Sequence, residues 1–303
     1  MTRVYDCFVF SRELDLLEIR LNELSEVVDV FVLAESPFTF QGDPKPLTFE
    51  ENRKRFAAFA DRIRHVVVGD MPAGTRKRDH WRRQSHQRNA LAIGIEDARP
   101  DDVVVLSDVD EIPSAGSILE SVETIDSLPT VHCFEQRMYK YFLNYQHRDP
   151  WSRSGPRAVR RRYLRSMQGL RYVRPPTAEP IRSTLRWLYA SAYMQRPIRR
   201  VVHRDAGWHF SAMGGVDEVA KRLSSNSQII RERRRDPSRD FTEIAAARLE
   251  SAGFDNKLKK VPLDSTFPRF LIENQARFRH LLADDEIQSS AEVPPAIELR
   301  VNT

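Results

Sequence analysis

Asp108, Asp110 and Glu111 stand within four positions of one another, directly after the run Val103-Val104-Val105-Leu106. Four consecutive apolar residues, three of them β-branched, predict a short strand buried on both faces, and the acids follow where that strand must end. In open α/β sheets the carboxyl edge of the strands is where ligands bind. Two carboxylates there suit a hard divalent cation, because Mg²⁺ or Mn²⁺ takes one or two carboxylates and completes its shell with phosphate oxygens and water. The competing reading is a solvated acidic turn ahead of a helix capped by Ser114.

Other polar residues fall on the same edge. Ser11 follows the first predicted strand and Glu35 the second. Gln87-Arg88-Asn89 lies on the helix that feeds the acidic strand. If that helix packs beside the strand, Arg88 brings a planar cationic fork suited to a diphosphate. A cation and an arginine sharing one diphosphate would stabilise a nucleotide leaving group electrostatically. No G-x-G-x-x-G follows the first strand, and no G-x-x-x-x-G-K-[ST] occurs anywhere. Dinucleotide redox and P-loop chemistry therefore lose their strongest markers. What remains is a nucleotide held by side chains and metal, which suits a nucleotide-sugar enzyme.

The elements that would position these groups alternate. Arg3 to Phe10 reads as a strand, Glu13 to Leu24 as an amphipathic helix, Val27 to Ala34 as a strand, Glu50 to Ala60 as a helix, Ile63 to Val68 as a strand and Trp81 to Ala98 as a long helix. The acidic strand comes next. Strands alternating with helices at this spacing predict a mainly parallel sheet covered on both faces. Ser114 opens a helix to about Ile125, and Thr130 to Tyr141 reads as one further strand. Residues 150–207, rich in Arg and Pro, predict long loops with short elements, apart from a partly apolar helix from Ile181 to Gln195 suited to the core or to a membrane face. Helical patterns follow from Val216 to about Arg235, Phe241 to Ala252 and Arg269 to Leu282. The expected organisation is an α/β half over 1–145, an acceptor-side and helical C-terminal part over 146–285, and a mobile tail over 286–303.

With 303 residues, 41% hydrophobic and 30% charged, the chain has the composition of a soluble globular protein. No apolar run approaches the roughly eighteen residues of a membrane span, and the amino terminus reads as a strand, so the expected location is cytoplasmic. Cys7 and Cys133 sit in apolar strand patterns and read as buried, inert thiols. The charge of +5 is unevenly placed: from Arg153 to Arg204 fourteen arginines face one acid, Glu179. Such a segment seeks an anionic partner or forms a solvated basic face.

Six stretches, in order, resemble glycosyltransferase family 17. They are Tyr5 to Phe8 running on to Glu13 to Leu24, Val32 to Ser36 with Phe38 to Phe40, Gly42 and Lys45 to Leu47, Gln87 to Leu91, Ser107 to Pro113, and Ala206 to Ser211. The resemblance implies a glycosyltransferase A-type, Rossmann-like fold, a divalent metal (Mn²⁺ or Mg²⁺) and UDP-N-acetylglucosamine as donor. It makes Asp108 and Asp110 the metal and diphosphate motif and Glu35 a uridine contact. Arg88 and Asn89 fall where related transferases contact the nucleotide, and His209 becomes a further metal or diphosphate ligand, with a core histidine between Trp208 and Phe210 as the alternative. Inverting displacement needs a general base, for which Asp217 and Glu218, then Glu135, are the candidates. Animal members carry an amino-terminal membrane anchor. Its lack here shifts the expected acceptor toward a lipid-linked or polysaccharide precursor, with peripheral contact at the inner face of an anionic membrane and no nucleic-acid partner. Two other classes stay open. A nucleotidyltransferase acting on a sugar phosphate would want a glycine-rich loop where Ser11-Arg12-Glu13-Leu14 stands. A nucleic-acid-binding protein would use the arginine segment and bind with steep salt dependence.

Overall fold

In the computed structural model, residues 2–283 are described except 75, 125–127, 178, 217, 221–239 and 253–256. The core is a seven-stranded sheet built from β1 (Val4–Val9), β2 (Val30–Glu35), β3 (Ile63–Val67), β4 (Val103–Asp108), β6 (Thr130–Phe134), β9 (Arg157–Arg160) and β10 (Arg199–His203). Their spatial order is β10-β6-β9-β4-β1-β2-β3. Every pairing is parallel except the two that β9 makes, antiparallel to β4 and β6. Order and direction are those of a Rossmann-like α/β sheet with one reversed strand inserted, as the alternation of elements predicts.

Period-two alternation divides the apolar residues between the faces. Val4, Phe8, Phe31, Leu33, Val103 and Val105 share one layer with Leu17, Ile19 and Leu21 of α1 (Leu14–Glu23). Tyr5, Cys7, Val32, Ala34, Val104 and Leu106 share the other with Leu91 and Ile95, just beyond α3 (Lys77–Ala90), and with Met167 and Leu170 of α5 (Met167–Tyr172). Cys7 and Cys133 are free and buried, and burial pushes both thiols up.

Three expectations need correction or refinement. The single strand from Thr130 to Tyr141 is two strands: β6 ends at Phe134, and β7 (Arg137–Lys140) joins a second sheet ordered β12-β8-β7-β11-β5. That sheet comprises β5 (Glu111–Pro113), β7, β8 (Tyr145–His147), β11 (Gly207–Ser211) and β12 (Leu258–Lys260), and no reading of the sequence foresaw it. The Arg- and Pro-rich segment, expected as long loops with short elements, supplies two of its short elements, β9 and β10, as strands of the main sheet. Its arginines disguise this, because several are internal: Arg157 is fully buried and donates to the carbonyls of Val173, Gly155, Pro156 and Arg153. Finally, the long helices expected at 81–98 and 269–282 break into an α-helix followed by a 3₁₀ turn. Of the helix expected from Val216, residues 216 and 218–220 are helical; the rest lies outside the described residues, as does the tail.

At the opposite edge from the acids, Asp97 gathers Arg3 Nη1 (3.0 Å), Arg64 and the Tyr5 hydroxyl (3.3 Å). Its hydrogen bond with Arg64, against a small burial penalty and with help from Arg3, holds its carboxyl well below the usual range. A depressed pKa contributes stability above the unfolded value that is lost as pH falls through the folded one. Asp97→Asn should therefore cost about 1 kcal/mol at pH 7, since the group is half exposed, with the gap closing progressively below about pH 4. Urea unfolding of both proteins at several pH values checks this.

Candidate active site

β4 presents Asp108 as its last residue, in register with Val9 at the end of β1, and the chain turns at once into β5. The turn is fixed from behind. Asp6 falls on the face of β1 that meets α1, where Arg20 Nε and Nη2 donate to its two oxygens at 2.7 and 2.5 Å. The same guanidinium reaches Ser107 Oγ (2.6 Å) and the carbonyls of Glu111 (2.8 Å) and Asp108 (3.3 Å). Both side chains are fully buried, so a charged fork holds the backbone of the acidic turn from inside the core. Neither residue belongs to a chemical motif in the sequence. The signal in the sequence is a charge on the apolar face of each of two elements, Asp6 between Val4 and Phe8 on β1 and Arg20 between Leu17 of α1 and Leu24 just after it.

From the front, two arginines flank Asp108. Arg88 Nη2 lies 2.9 Å from Oδ1 and Arg171 Nη2 3.1 Å from Oδ2. Arg171 also grips Glu111 bidentately at 2.6 and 2.7 Å, and Glu111 accepts the Trp151 indole N–H at 2.7 Å. Burial pushes the Asp108 carboxyl up, but Arg171 and Arg88 outweigh it and hold the group below the usual carboxylate range. Arg88 itself is steadied by Gln168 of α5 at 2.5 Å. Arg171, Glu111, Trp151 and Gln168 have no assigned role in the sequence reading. Arg171 is one of fourteen arginines in its segment, and nothing in spacing distinguishes it from the rest.

β11 runs antiparallel to β5 and pairs His209 with Glu111, while the Phe210 N–H donates to the Asp110 carbonyl at 2.8 Å. His209 Nε2 thereby comes to 3.7 Å from Asp110 Oδ2, both side chains being 7% exposed. The Trp151 ring covers the imidazole at 4.5 Å. Nδ1 of His209 is buried and has no hydrogen-bond partner among the described residues.

The Asp110–His209 pair, with its facing atoms set beyond hydrogen-bond distance, tests the fit of a divalent cation. Two donor atoms on one ion at ~2.1 Å each stand roughly 3–4 Å apart, and the Asp110–His209 gap matches this. Among the described residues no group of three or more His, Cys, Asp or Glu forms a complete metal cage. Two protein donors beside a flanked Asp108 thus fit a cation that takes its remaining ligands from phosphate and water.

The remaining predicted residues that the structure describes sit on α3, after β1, at the end of β2, after β6 and after β11. On α3, three consecutive side chains diverge: Gln87 donates to the Ala34 carbonyl (2.9 Å), Arg88 reaches Asp108, and Asn89 accepts the Gln168 N–H (2.9 Å). Asn89 therefore ties α3 to α5. Glu35 is fully buried and accepts the Phe49 N–H, with His65 at 3.2 Å and Lys45 at 3.5 Å, so its carboxylate is committed to the loop after β2. The Ser11 carbonyl accepts from Lys45 Nζ at 3.3 Å, which places the Lys45 ammonium beside the end of β1. Glu135 follows β6, beside Gln136, whose amide donates to the Ile112 carbonyl at 2.8 Å. Glu218 lies against Gly214, which has φ of 106° and where a Cβ would meet the Glu218 side chain at 2.7 Å. Asp217 is outside the described residues.

Comparison with known proteins gives the chain a family. The model of glycosyltransferase family 17 matches residues 1–174. The chain is 27% identical to the beta-1,4-mannosyl-glycoprotein 4-beta-N-acetylglucosaminyltransferases of Rattus norvegicus and Homo sapiens, over 92% of its own length. It spans about half the length of these curated relatives, 54% and 55% respectively. Among solved structures, a putative nucleotide-diphospho-sugar transferase from Desulfovibrio desulfuricans G20 aligns with a TM-score of 0.35 and 8% identity, over 81% of this chain and 99% of that one. The 4-diphosphocytidyl-2C-methyl-D-erythritolsynthase from Anaerococcus prevotii aligns with a TM-score of 0.36 and 13% identity, over 67% and 87%.

Proposed function

Because the chain belongs to glycosyltransferase family 17, we propose that it transfers N-acetylglucosamine from UDP-N-acetylglucosamine to a glycan or lipid-linked acceptor, with inversion and with Mn²⁺ or Mg²⁺ present. The observation that carries this reading is the Asp108–Asp110 pair at the carboxyl end of β4, with Arg88, Arg171 and His209 around it. That the relatives are N-acetylglucosaminyltransferases supports the choice of sugar.

In the proposed reaction an acceptor hydroxyl oxygen bonds to the anomeric carbon as the bond from that carbon to the diphosphate oxygen breaks. The electron pair leaves with UDP, and the hydroxyl proton passes to a carboxylate base. Asp110 and His209 would hold the cation beside Asp108, and a cation there neutralises charge on the departing diphosphate. Arg88 and Arg171, already desolvated and oriented, would donate to the same oxygens at little reorganisation cost. Trp151 shields the imidazole from water. The base is proposed among Asp217, Glu218 and Glu135, to be separated by single amide substitutions. Glu35, Ser11 and Asn89 would act through the walls of the donor pocket.

The reading includes a cytoplasmic protein with a nucleotide sugar and an acceptor as its partners. It includes no nucleic acid, since Arg157, Arg160, Arg174 and Arg200 donate to backbone carbonyls within the protein. Incubation with a panel of nucleotide sugars and Mn²⁺ tests it. UDP release from UDP-N-acetylglucosamine should exceed release from the other donors and fall to background with chelator. Equal rates with and without chelator, or no UDP-sugar turnover at any metal concentration, would refute it.

A further inference from the structure

Helix α6 (Pro180–Met194) is amphipathic in the reverse sense to most surface helices. It starts with Pro180 at N1 and ends in a left-handed Gln195 (φ 56°), followed shortly by Pro197. Its inward face is narrow: Ala190 and Met194 pack with Met167, Leu170 and Val173 around α5, and the Tyr193 hydroxyl donates to the Ser166 carbonyl at 2.6 Å. The opposite face carries Ile181, Leu185, Leu188, Tyr189 and Ala192 at helical spacing, all exposed, with Ile181 at 77% and Leu185 at 61%. A surface helix normally turns polar residues to water, and a contiguous apolar stripe left outside marks an interaction surface.

The surroundings of the stripe specify its partner. Arg182 and Arg186 follow on the flank next to Tyr189. Across from them Tyr172 and Arg174 complete a groove of about 410 Å³ lined by Tyr172, Arg174, Leu185, Arg186 and Tyr189. From Tyr172 to Arg200 inclusive there are six arginines and one acid, Glu179. A second copy meeting this face about a twofold axis would set its arginines against their own equivalents. Aliphatic residues at the crest, aromatic rings at the margin and arginines at the flank fit an interfacial helix on anionic lipid.

We propose that the outward face of α6, with the Tyr172–Arg174 groove, docks the protein onto a bilayer surface of anionic phospholipid. The surface stands independently of the sugar-transfer reading. Only its consequence rests on that reading: α5 sends Gln168 and Arg171 to the acidic site and Tyr172 to the groove, so docking would bring the site next to the membrane where a lipid-linked acceptor resides.

Co-sedimentation of the full chain with vesicles tests the proposal, using phosphatidylcholine alone and phosphatidylcholine mixed with phosphatidylglycerol. Binding is expected to the mixed vesicles only. The R182Q/R186Q variant should weaken it roughly fivefold per arginine removed, and L185S/L188S/Y189S by at least about tenfold. Both variants should keep the wild-type thermal midpoint and nucleotide-sugar turnover in solution, since every substituted side chain lies on the surface away from the acidic site. Equal vesicle binding by wild type and the triple variant would overturn the proposal, as would no binding to anionic vesicles. Concentration-dependent dimerisation that the triple variant abolishes, without vesicle binding, would assign the face to a second copy instead. Vesicle binding without turnover would leave the docking surface standing and refute the sugar-transfer reading alone.

Discussion

Asp110→Asn is expected to lower kcat/KM for UDP release by about 10²–10³-fold or more while leaving the protein as stable as the wild type, or slightly more so. The substitution keeps the shape and removes the charge. Asp110 is nearly buried, 3.7 Å from His209, in the spot where a cation and the diphosphate would be held, so the loss falls on stabilisation of charge in the transition state. Stability responds in the other direction. Asp108, Asp110 and Glu111 crowd three carboxylates into one turn, and Asp110 acts to raise the Asp108 pKa against the two arginines. Deleting one negative charge relieves that repulsion and offsets the loss of Asp110's attraction for Arg171. A variant that is inactive but melts no lower than the wild type is characteristic of residues kept for function at some cost to stability. Steady-state UDP release and thermal unfolding of the same preparation measure both effects.

Arg20→Met is expected to destabilise the protein by about 3–5 kcal/mol, because removing one partner leaves Asp6 as an uncompensated charge in the core. Asp6 and Arg20 are both fully buried, and Arg20 also satisfies Ser107 and the carbonyls of Asp108 and Glu111. The double variant Asp6→Leu/Arg20→Met should recover much of that loss, since an apolar pair replaces an ion pair in an apolar layer with Phe8 and Leu17. It should not recover activity, because the acidic turn loses the donor that holds its backbone. Urea unfolding reads the first effect and UDP release the second. If the double variant regained full turnover, Arg20 would have only a core-packing role.

Much of the fold is legible because hydrophobic periodicity is strong where the sheet is parallel. Val103 to Leu106, buried on both faces, announces the strand that carries the site, and the first four strands form as expected from the alternation with helices. What the sequence hides has physical causes. β9 enters the main sheet between β4 and β6 through Arg157-Ala158-Val159-Arg160, whose flanking arginines read as surface although Arg157 is internal and Arg160 donates to carbonyls. β7 and β11 look like continuations or loops, because the second sheet forms only when distant segments meet. The acidic edge proposed as the donor site shows the same division. Asp108, Asp110 and Arg88 converge as the strand edge and the feeding helix require, whereas Glu111, Arg171 and Trp151 owe their places to long-range packing that no local spacing encodes. Glu35 marks the limit of the edge rule: it ends a strand where a ligand carboxylate would stand, yet turns inward to Phe49, His65 and Lys45.

The most direct measurement is UDP release from UDP-N-acetylglucosamine by the wild type and Asp110→Asn side by side, each with Mn²⁺ and with excess chelator. Turnover by the wild type with Mn²⁺ alone, and background rates in the other three conditions, is the expected result. Undiminished release by Asp110→Asn, or release that ignores the chelator, would contradict the assignment of this acidic edge as the donor site.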